Sequence, residues 1–429
     1  MAVISELKIR NFKSLESVDL KLGHFNLLVG ANASGKSNFL DALRFLQGVG
    51  NGFSIDGILN GIPQTTTRAK WTGIRGGSNF VAFRKPDGSQ SKTDEFHVTF
   101  REIGDPNLSL DELTYNLTCS VRNGVISITD ESLYSGATPV FRNEDRLPIE
   151  PLPVWDSDQH LDPEMPMRVL DPFEKTPDPM AGTLALLVST PRIAFWGKQP
   201  YQGVKVFKYT NFVSSALADM QFLDPLPAML RDYSSKVARL GENGEGFAAM
   251  IHEIESNGSK AALLEWLKEL RPDEVNDIYA LEGLNNDFMV AIKEGNKEFR
   301  APSISDGTLR FIALAAAFFQ PSMPKVLVIE EIEKCLHPSR LRLLLELMRS
   351  QSKRTGTQVF ATTHSPTLLA WLTEEDRKTT FVCTRDAESG ATKMRPLSEV
   401  PRLEELVQKD YRLDQLFEEG WLESVLHES

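Results

Sequence analysis

Four short stretches place reactive side chains at spacings that phosphate chemistry uses. Gly30-Ala31-Asn32-Ala33-Ser34-Gly35-Lys36-Ser37 meets the pattern GxxxxGK[ST] in full. Glycines in such a loop let backbone N–H groups approach phosphate oxygens, and the helix that follows adds a favourable dipole. Lys36 is then placed for the β- and γ-phosphates, and the Ser37 hydroxyl for Mg²⁺. Gly30, Asn32, Ala33, Ser34, Gly35, Lys36, Ser37 and Asn38 are the candidate nucleotide-binding residues of this stretch. Val326-Leu327-Val328-Ile329 runs into Glu330-Glu331, so an apolar strand delivers two adjacent carboxylates at its C-terminal end. Open α/β sheets bind ligands at that edge. Glu330 has the metal-supporting position, and Glu331 is placed to orient and deprotonate an attacking water. Alone, two glutamates after a strand are more often a solvated helix cap; beside a complete phosphate loop, the chemical reading is preferred.

Two further stretches complete the set. Ser305-Asp306-Gly307-Thr308 leads into an apolar helix, where Ser305 can cap and the free N–H groups can take up a phosphate. Thr362-Thr363-His364-Ser365-Pro366 follows another apolar run and puts His364 at the same sheet edge. That position makes His364 a candidate γ-phosphate sensor.

The elements that must position these groups read as α/β. Leu7-Lys8-Ile9 and Ser17 to Leu22 are strands, and Phe25 to Val29 is a run buried on both faces. Asn38 to Leu46 places Phe39, Leu40, Leu43 and Leu46 on one helical face. In the last third, helices at Leu309–Phe319 and Arg340–Met348 alternate with strands at Lys325–Ile329, Gln358–Ala361 and Thr380–Cys383, with a helix start at Pro366–Trp371. Such alternation predicts a parallel sheet. The first and later strands lie about three hundred residues apart, so the middle is read as an insertion. There, Glu95–Arg101 reads as a strand, and Leu113–Val121 with Val125–Thr129 as a hairpin around Asn123-Gly124. Residues 147–179 read as a Pro- and Asp-rich loop, and helices are expected at Pro227–Leu240, Phe247–Ser256 and Lys260–Leu270. No sustained heptads occur. The expected division is 1–90, 91–300 and 301–429.

Composition narrows the setting. The 429 residues are 41% hydrophobic and 25% charged, enough apolar matter for a substantial core. Cys119, Cys335 and Cys383 form no CxxC pair, which argues against a zinc site or disulfide framework and suits a reducing cytoplasm. The N-terminus lacks a signal-peptide pattern, and no apolar run approaches membrane-spanning length. A net charge of −12 works against nonspecific nucleic-acid binding. Between Pro179 and Ala218, however, Arg192, Lys198, Lys205 and Lys208 interleave with Phe195, Trp196, Tyr201 and Tyr209. That stretch could hold a nucleic-acid backbone, although a pair of half-buried strands with solvated charges is the preferred reading.

The order of these motifs resembles ABC-type ATPases of the RecF/SMC/OLD branch, and more narrowly bacterial ATPases with an AAA_21-type domain. The resemblance is carried by Asn11-Phe12-Lys13-Ser14, Gly30 to Asn38, Ser305 to Arg310, Glu330 to Pro338 and Thr362 to Pro366, with weaker support at Arg75-Gly76-Gly77. It implies a nucleotide-binding head with a central mixed sheet, an antiparallel β subdomain and an inserted helical lobe, without a long coiled coil. It implies Mg-dependent ATP hydrolysis, with Glu331, His364 and Lys36 catalytic, Ser37 and Glu330 at the metal, and Lys13 and Ser14 near the base or sugar. It also implies a homodimer or higher oligomer in which ATP on one protomer is closed by Ser305, Asp306 and Gly307 of another. Lys334 to Pro338 match the D-loop at that interface. Glu330 replaces the commoner Asp, and Ile332 and Cys335 the usual Pro and Gly; these departures bear on turnover more than on binding. The sequence does not place the family's Q-loop glutamine.

Relatives of this kind imply control of a separately encoded effector, such as a Toprim or HNH nuclease, in antiphage defence. The alternative is a RecF-like repair ATPase that senses DNA directly, with nucleic acid as a partner. A fused nuclease is not expected, since about 65 residues follow His364. A transporter head is disfavoured by the Ser305–Arg310 signature and the large insertion.

Overall fold

The computed structural model describes residues 3–63, 71–101, 112–122, 125–142, 200–235, 239–270, 275–409, 411–421 and 424–425. The Asn123-Gly124 turn, the loop at 147–179, and Arg192, Phe195, Trp196 and Lys198 lie outside them.

The core is a six-stranded sheet of β3 (Phe25–Val29), β8 (Met220–Leu223), β12 (Val326–Ile329), β13 (Gln358–Thr363), β14 (Thr380–Arg385) and β15 (Thr392–Pro396). Its order is β15-β14-β3-β13-β12-β8, parallel throughout except for β15, which runs antiparallel to β14. These strands are apolar on both faces because both faces are covered. Leu27, Leu327, Val359 and Val382 enter one hydrophobic core. Leu28, Val328, Phe360 and Phe381, their alternating neighbours, enter the other.

The second core is closed by helices α1 (Lys36–Gly50) and α2 (Ile55–Asn60) and a six-stranded antiparallel sheet. That sheet runs in the order β2 (Leu15–Lys21), β1 (Val3–Phe12), β4 (Thr93–Arg101), β5 (Leu113–Arg122), β6 (Val125–Ser135) and β7 (Thr138–Arg142), and so joins strands from both sides of residue 90. Phe39, Leu40, Leu43, Phe45, Leu46 and Val49 of α1 are at most 3% exposed. Each large apolar side chain so buried contributes about 1.5–3 kcal/mol, which fixes the helix against the strand feeding it.

The first core is closed by helices α4 (Phe247–Ser256), α5 (Lys260–Leu270), α6 (Asp306–Ala316) and α7 (Pro338–Thr355), with a small antiparallel sheet. That sheet is β9 (Asp277–Glu282), β10 (Phe288–Glu294) and β11 (Lys297–Arg300), three strands the sequence reading did not anticipate. Two expectations are corrected. Residues 200–218 form helix α3 (Pro200–Ala218), not strands, and it packs on α1 so closely that a Cβ on Gly50 would meet the Ala218 nitrogen at 2.5 Å. Lys205 and Lys208 therefore lie on a helix. The helix expected over 227–240 stops at Leu230, and Ser234 then bridges to Phe288 of β10. Among the described residues, no helix is long and apolar enough to cross a membrane.

Candidate functional site

The phosphate loop joins the C-terminal end of β3 to the start of α1. It packs too tightly for side chains at its glycines. A Cβ on Gly30 would lie 2.2 Å from the Cys383 carbonyl oxygen, and one on Gly35 1.9 Å from Thr392 Oγ1. Gly35 also has φ of 102° and caps α1 without a side-chain hydrogen bond. The first N–H groups of α1 are thus left for a ligand rather than a capping side chain. Ala33 is held at φ of 64°, and Ala31, Asn32 and Ala33 are exposed while Ser34 is buried.

Lys36 Nζ donates to the carbonyls of Gly30 and Ala31 at 2.7 and 2.8 Å, so the ammonium rests inside its own loop. Burial lowers its pKa, and the nearby Glu333, Glu331 and Glu330 oppose the fall. The Cys383 thiol is itself pushed up to about 12 by burial. It is therefore neutral at pH 7, and the three glutamates supply the field that keeps Lys36 charged.

Glu330 and Glu331 lie where β12 ends. The Ser37 hydroxyl donates to Glu330 Oε1 at 2.9 Å, which brings the two expected metal-holding oxygens together. Hard oxygen donors of this kind suit Mg²⁺, which takes one or two protein ligands and completes its shell with phosphate and water. The site therefore fits the ion. Glu331 adopts φ of 49°, and its N–H donates to Thr362 Oγ1 at 2.9 Å. A left-handed conformation at a non-glycine residue is costly and is held here by Thr362, whose carbonyl also accepts from Ile332 N–H at 3.1 Å.

His364, after β13, has its Nδ1 2.6 Å from Glu333 Oε1, and its backbone N–H donates to the same oxygen at 2.8 Å. Lys13 Nζ pairs with Asp41 and donates to the Arg75 carbonyl at 2.7 Å. Burial lowers its pKa and Asp41 opposes the fall. Ser14 Oγ lies 2.6 Å from both Thr392 Oγ1 and Asn38 Nδ2. Lys13, Ser14 and Asn38 line a cavity of about 230 Å³ with Phe80, Arg84 and Arg385. Phe80 is an exposed aromatic with the Arg84 guanidinium 5.1 Å over its ring.

Ser305 caps α6, accepting from Thr308 N–H at 3.2 Å. Asp306 pairs with Arg231 at 2.6 Å, and a Cβ on Gly307 would lie 2.4 Å from the Cys335 carbonyl oxygen. None of their hydrogen bonds among the described residues reaches the phosphate loop. One chain thus gathers loop, acids and histidine at one sheet edge, and holds the Ser305 segment by separate contacts.

Several residues escaped the sequence reading. Arg75 donates to Glu330 Oε1 at 3.1 Å, to the Ser37 carbonyl at 2.8 Å and to Asp41 Oδ1 at 3.2 Å. Asp41 could have been found as a carboxylate one helical turn beyond Ser37 on an apolar face. Arg310 is 0% exposed and donates to Asp224 Oδ1 at 2.9 Å and to the carbonyls of Pro225, Glu330 and Glu331 at 2.5, 3.2 and 3.1 Å. Arg310 closes the Ser305–Arg310 stretch read from sequence, but only its place inside an apolar helix hinted at this buried role.

Fold and loop define the class as a P-loop nucleoside-triphosphatase head. The family model described as "AAA domain, putative AbiEii toxin, Type IV TA system" matches residues 223–370, and the model described as "AAA ATPase domain" matches residues 3–101. A Helicobacter pylori protein named "ATP/GTP phosphatase" is 23% identical over 384 residues, covering 88% of this chain and 90% of its own. RecF of Glaesserella parasuis is 50% identical over only 44 residues, 10% of this chain and 12% of its own. Among solved structures, an SMC head bound to the C-terminal winged-helix domain of ScpA matches with a TM-score of 0.50 at 15% identity, covering 94% of this chain and 99% of that one. The chain therefore has the fold of an SMC head, with no long coiled coil among the described residues, and its two ends match ATPase family models.

Proposed function

We propose that the chain binds ATP with Mg²⁺ at the phosphate loop and hydrolyses it in a site completed by a second copy of itself. The Ser37–Glu330 contact at 2.9 Å carries this reading, because it joins the loop to the acid-bearing strand around one metal position. Ser37 and Glu330 would hold the ion, which when bound neutralises phosphate charge. Lys36 exchanges the Gly30 and Ala31 carbonyls for the β- and γ-phosphates. Glu331 takes the proton of the attacking water, and His364 faces the γ-phosphate. Lys13 and Ser14 line the base and sugar side.

Ser305, Asp306 and Gly307 would close the nucleotide of the partner protomer, which is consistent with their hydrogen bonds among the described residues going to groups outside their own chain's loop. ATP then favours the closed assembly and hydrolysis releases it. A near-complete swing of that kind needs about 5.5 kcal/mol of differential affinity. Control of a partner nuclease in bacterial antiphage defence, in the cytoplasm, rests on resemblance to related bacterial ATPases.

The test compares wild type with Lys36→Ala and Glu331→Gln. Lys36→Ala should abolish ATP binding in a fluorescent-nucleotide titration. Glu331→Gln should bind normally, lose at least about 100-fold in turnover, and accumulate as an ATP-dependent assembly by light scattering. Normal hydrolysis by Glu331→Gln would remove Glu331 from the role of base.

A further inference from the structure

We infer that Glu333 is a positioning residue for His364, setting the tautomer and heading of the imidazole at the ligand edge of the sheet. The inference rests on the reading of the site given above, and it assigns a task to an acid that this reading leaves idle. One carboxylate oxygen, Glu333 Oε1, receives both the His364 backbone N–H at 2.8 Å and ring Nδ1 at 2.6 Å. Main chain and ring are therefore tied to a single point. An ionised carboxylate only accepts, so Nδ1 must carry a proton. Nε2 is left as the nitrogen available to a ligand, and its state is set by the bond on the other side of the ring.

Burial is divided in the same sense. The Glu333 side chain is 10% exposed and the His364 side chain 44%, so the orienting group is enclosed and the working group open. The carboxylate is aimed by its backbone. Glu331 at φ of 49° and Cys335 at φ of 63° bracket it, and Ile332, fully buried, anchors the turn between them through the Thr362 carbonyl. The second oxygen, Oε2, is buried and has no hydrogen-bond partner among the described residues. Glu333 also bears on the Lys36 ammonium ahead of Glu331 and Glu330, which puts it within the field of the phosphate site. It makes its contact through His364, and no nucleotide contact is needed for its effect.

The experiment uses the full chain labelled with ¹⁵N-histidine, with the His364 signals assigned by their loss in His364→Gln. In nucleotide-free wild type above the imidazole titration, His364 should be protonated at Nδ1. In Glu333→Ala, and less completely in the similarly sized Glu333→Gln, the population should move toward the Nε2–H form. Turnover should fall roughly 10- to 100-fold, by analogy with the loss of outer-shell partners of metal-bound imidazoles, while the ATP dissociation constant stays within about twofold. An unchanged tautomer in both variants overturns the inference. Equal loss of ATP binding and turnover in Glu333→Gln also overturns it, since that pattern belongs to a structural role. If wild type does not hydrolyse ATP, the functional reading fails, while the tautomer measurement still decides the Glu333–His364 contact.

Discussion

At the scale of single residues, a large departure from ordinary ionisation lies away from the nucleotide loop. Asp94 on β4 faces the interior of the antiparallel sheet opposite Cys119, with Glu131 nearby on β6 bonded to the Tyr115 hydroxyl at 2.8 Å. It is 1% exposed, and its Oδ1 has no hydrogen-bond partner among the described residues. Burial pushes its pKa up from 3.8 to about 8, and pushes the Cys119 thiol and Tyr115 hydroxyl well up too. The native state therefore keeps the Asp94 proton over a range in which the unfolded chain has lost it. Native protein binds more protons there, so stability is full at low pH and falls as pH rises from about 4 to about 8, by at most about 1.4 kcal/mol per unit. Asp94→Asn removes this slope. Urea midpoints at pH 5, 6.5 and 8 should fall more steeply for wild type than for the variant, and parallel lines would exclude Asp94 as the source.

Residue identity told much less about Asp94 than about the loop. Lys36 and Ser37 stand out in the sequence because a phosphate loop requires both residue type and spacing, and the structure places them at the start of α1. Asp94 lies just before the strand expected from Glu95, where an acid reads as part of an exposed turn, although period two puts it on the face of Phe96, Val98 and Phe100. Only the closure of the sheet over it makes it a buried acid. Glu333 was hidden for a related reason, since its link to His364 spans two loops that come together only when β12 and β13 pair.

Among the elements, the joint between α6 and the end of β12 sets the geometry of the acids. Arg310 reaches across from α6 to the Glu330 and Glu331 carbonyls and to Asp224 after β8, and Asp224 also pairs with Lys334 at 2.9 Å. The helix that begins at Ser305 is thereby tied to the strand end that carries Glu330 and Glu331. Arg310→Met fills similar volume but leaves these acceptors unserved, and should cost about 3–5 kcal/mol in urea unfolding. Arg310→Lys should recover little, because a single ammonium cannot serve four acceptors in a planar fork. A loss below about 1 kcal/mol for Arg310→Met would show that the joint is not held there.

Elements were legible where burial on both faces left one reading. β3, β12, β13 and β14 are near-continuous apolar runs, and each appeared close to its expected place. Helix α3 misled because Val204, Val206, Phe207, Tyr209, Phe212 and Val213 favour strands intrinsically, yet the segment is helical and packs along α1. Over 227–240 the apolar spacing imitated a helix, but pairing of Ser234 with Phe288 draws the chain to β10. In both cases a tertiary contact outweighed the local preference.

For the whole molecule, the decisive question is whether one chain contains a complete site. Lys36, Ser37, Glu330, Glu331 and His364 share one sheet edge, while Ser305 caps α6 and is held through Thr308. If a second copy supplies Ser305, every assembly of two chains has two sites, each taking its loop from one chain and its signature from the other. Lys36→Ala and Ser305→Arg should then be inactive alone, for opposite reasons. In a mixed pair, one site inherits both defects and the other inherits neither. Random mixing gives half mixed pairs with one of two sites intact, so an equimolar mixture should recover about a quarter of wild-type turnover. Turnover that never rises above the separate variants, while light scattering shows that mixed assemblies form, would exclude the shared site. A Ser305→Arg chain that turns over normally by itself would place the whole reaction within one protomer.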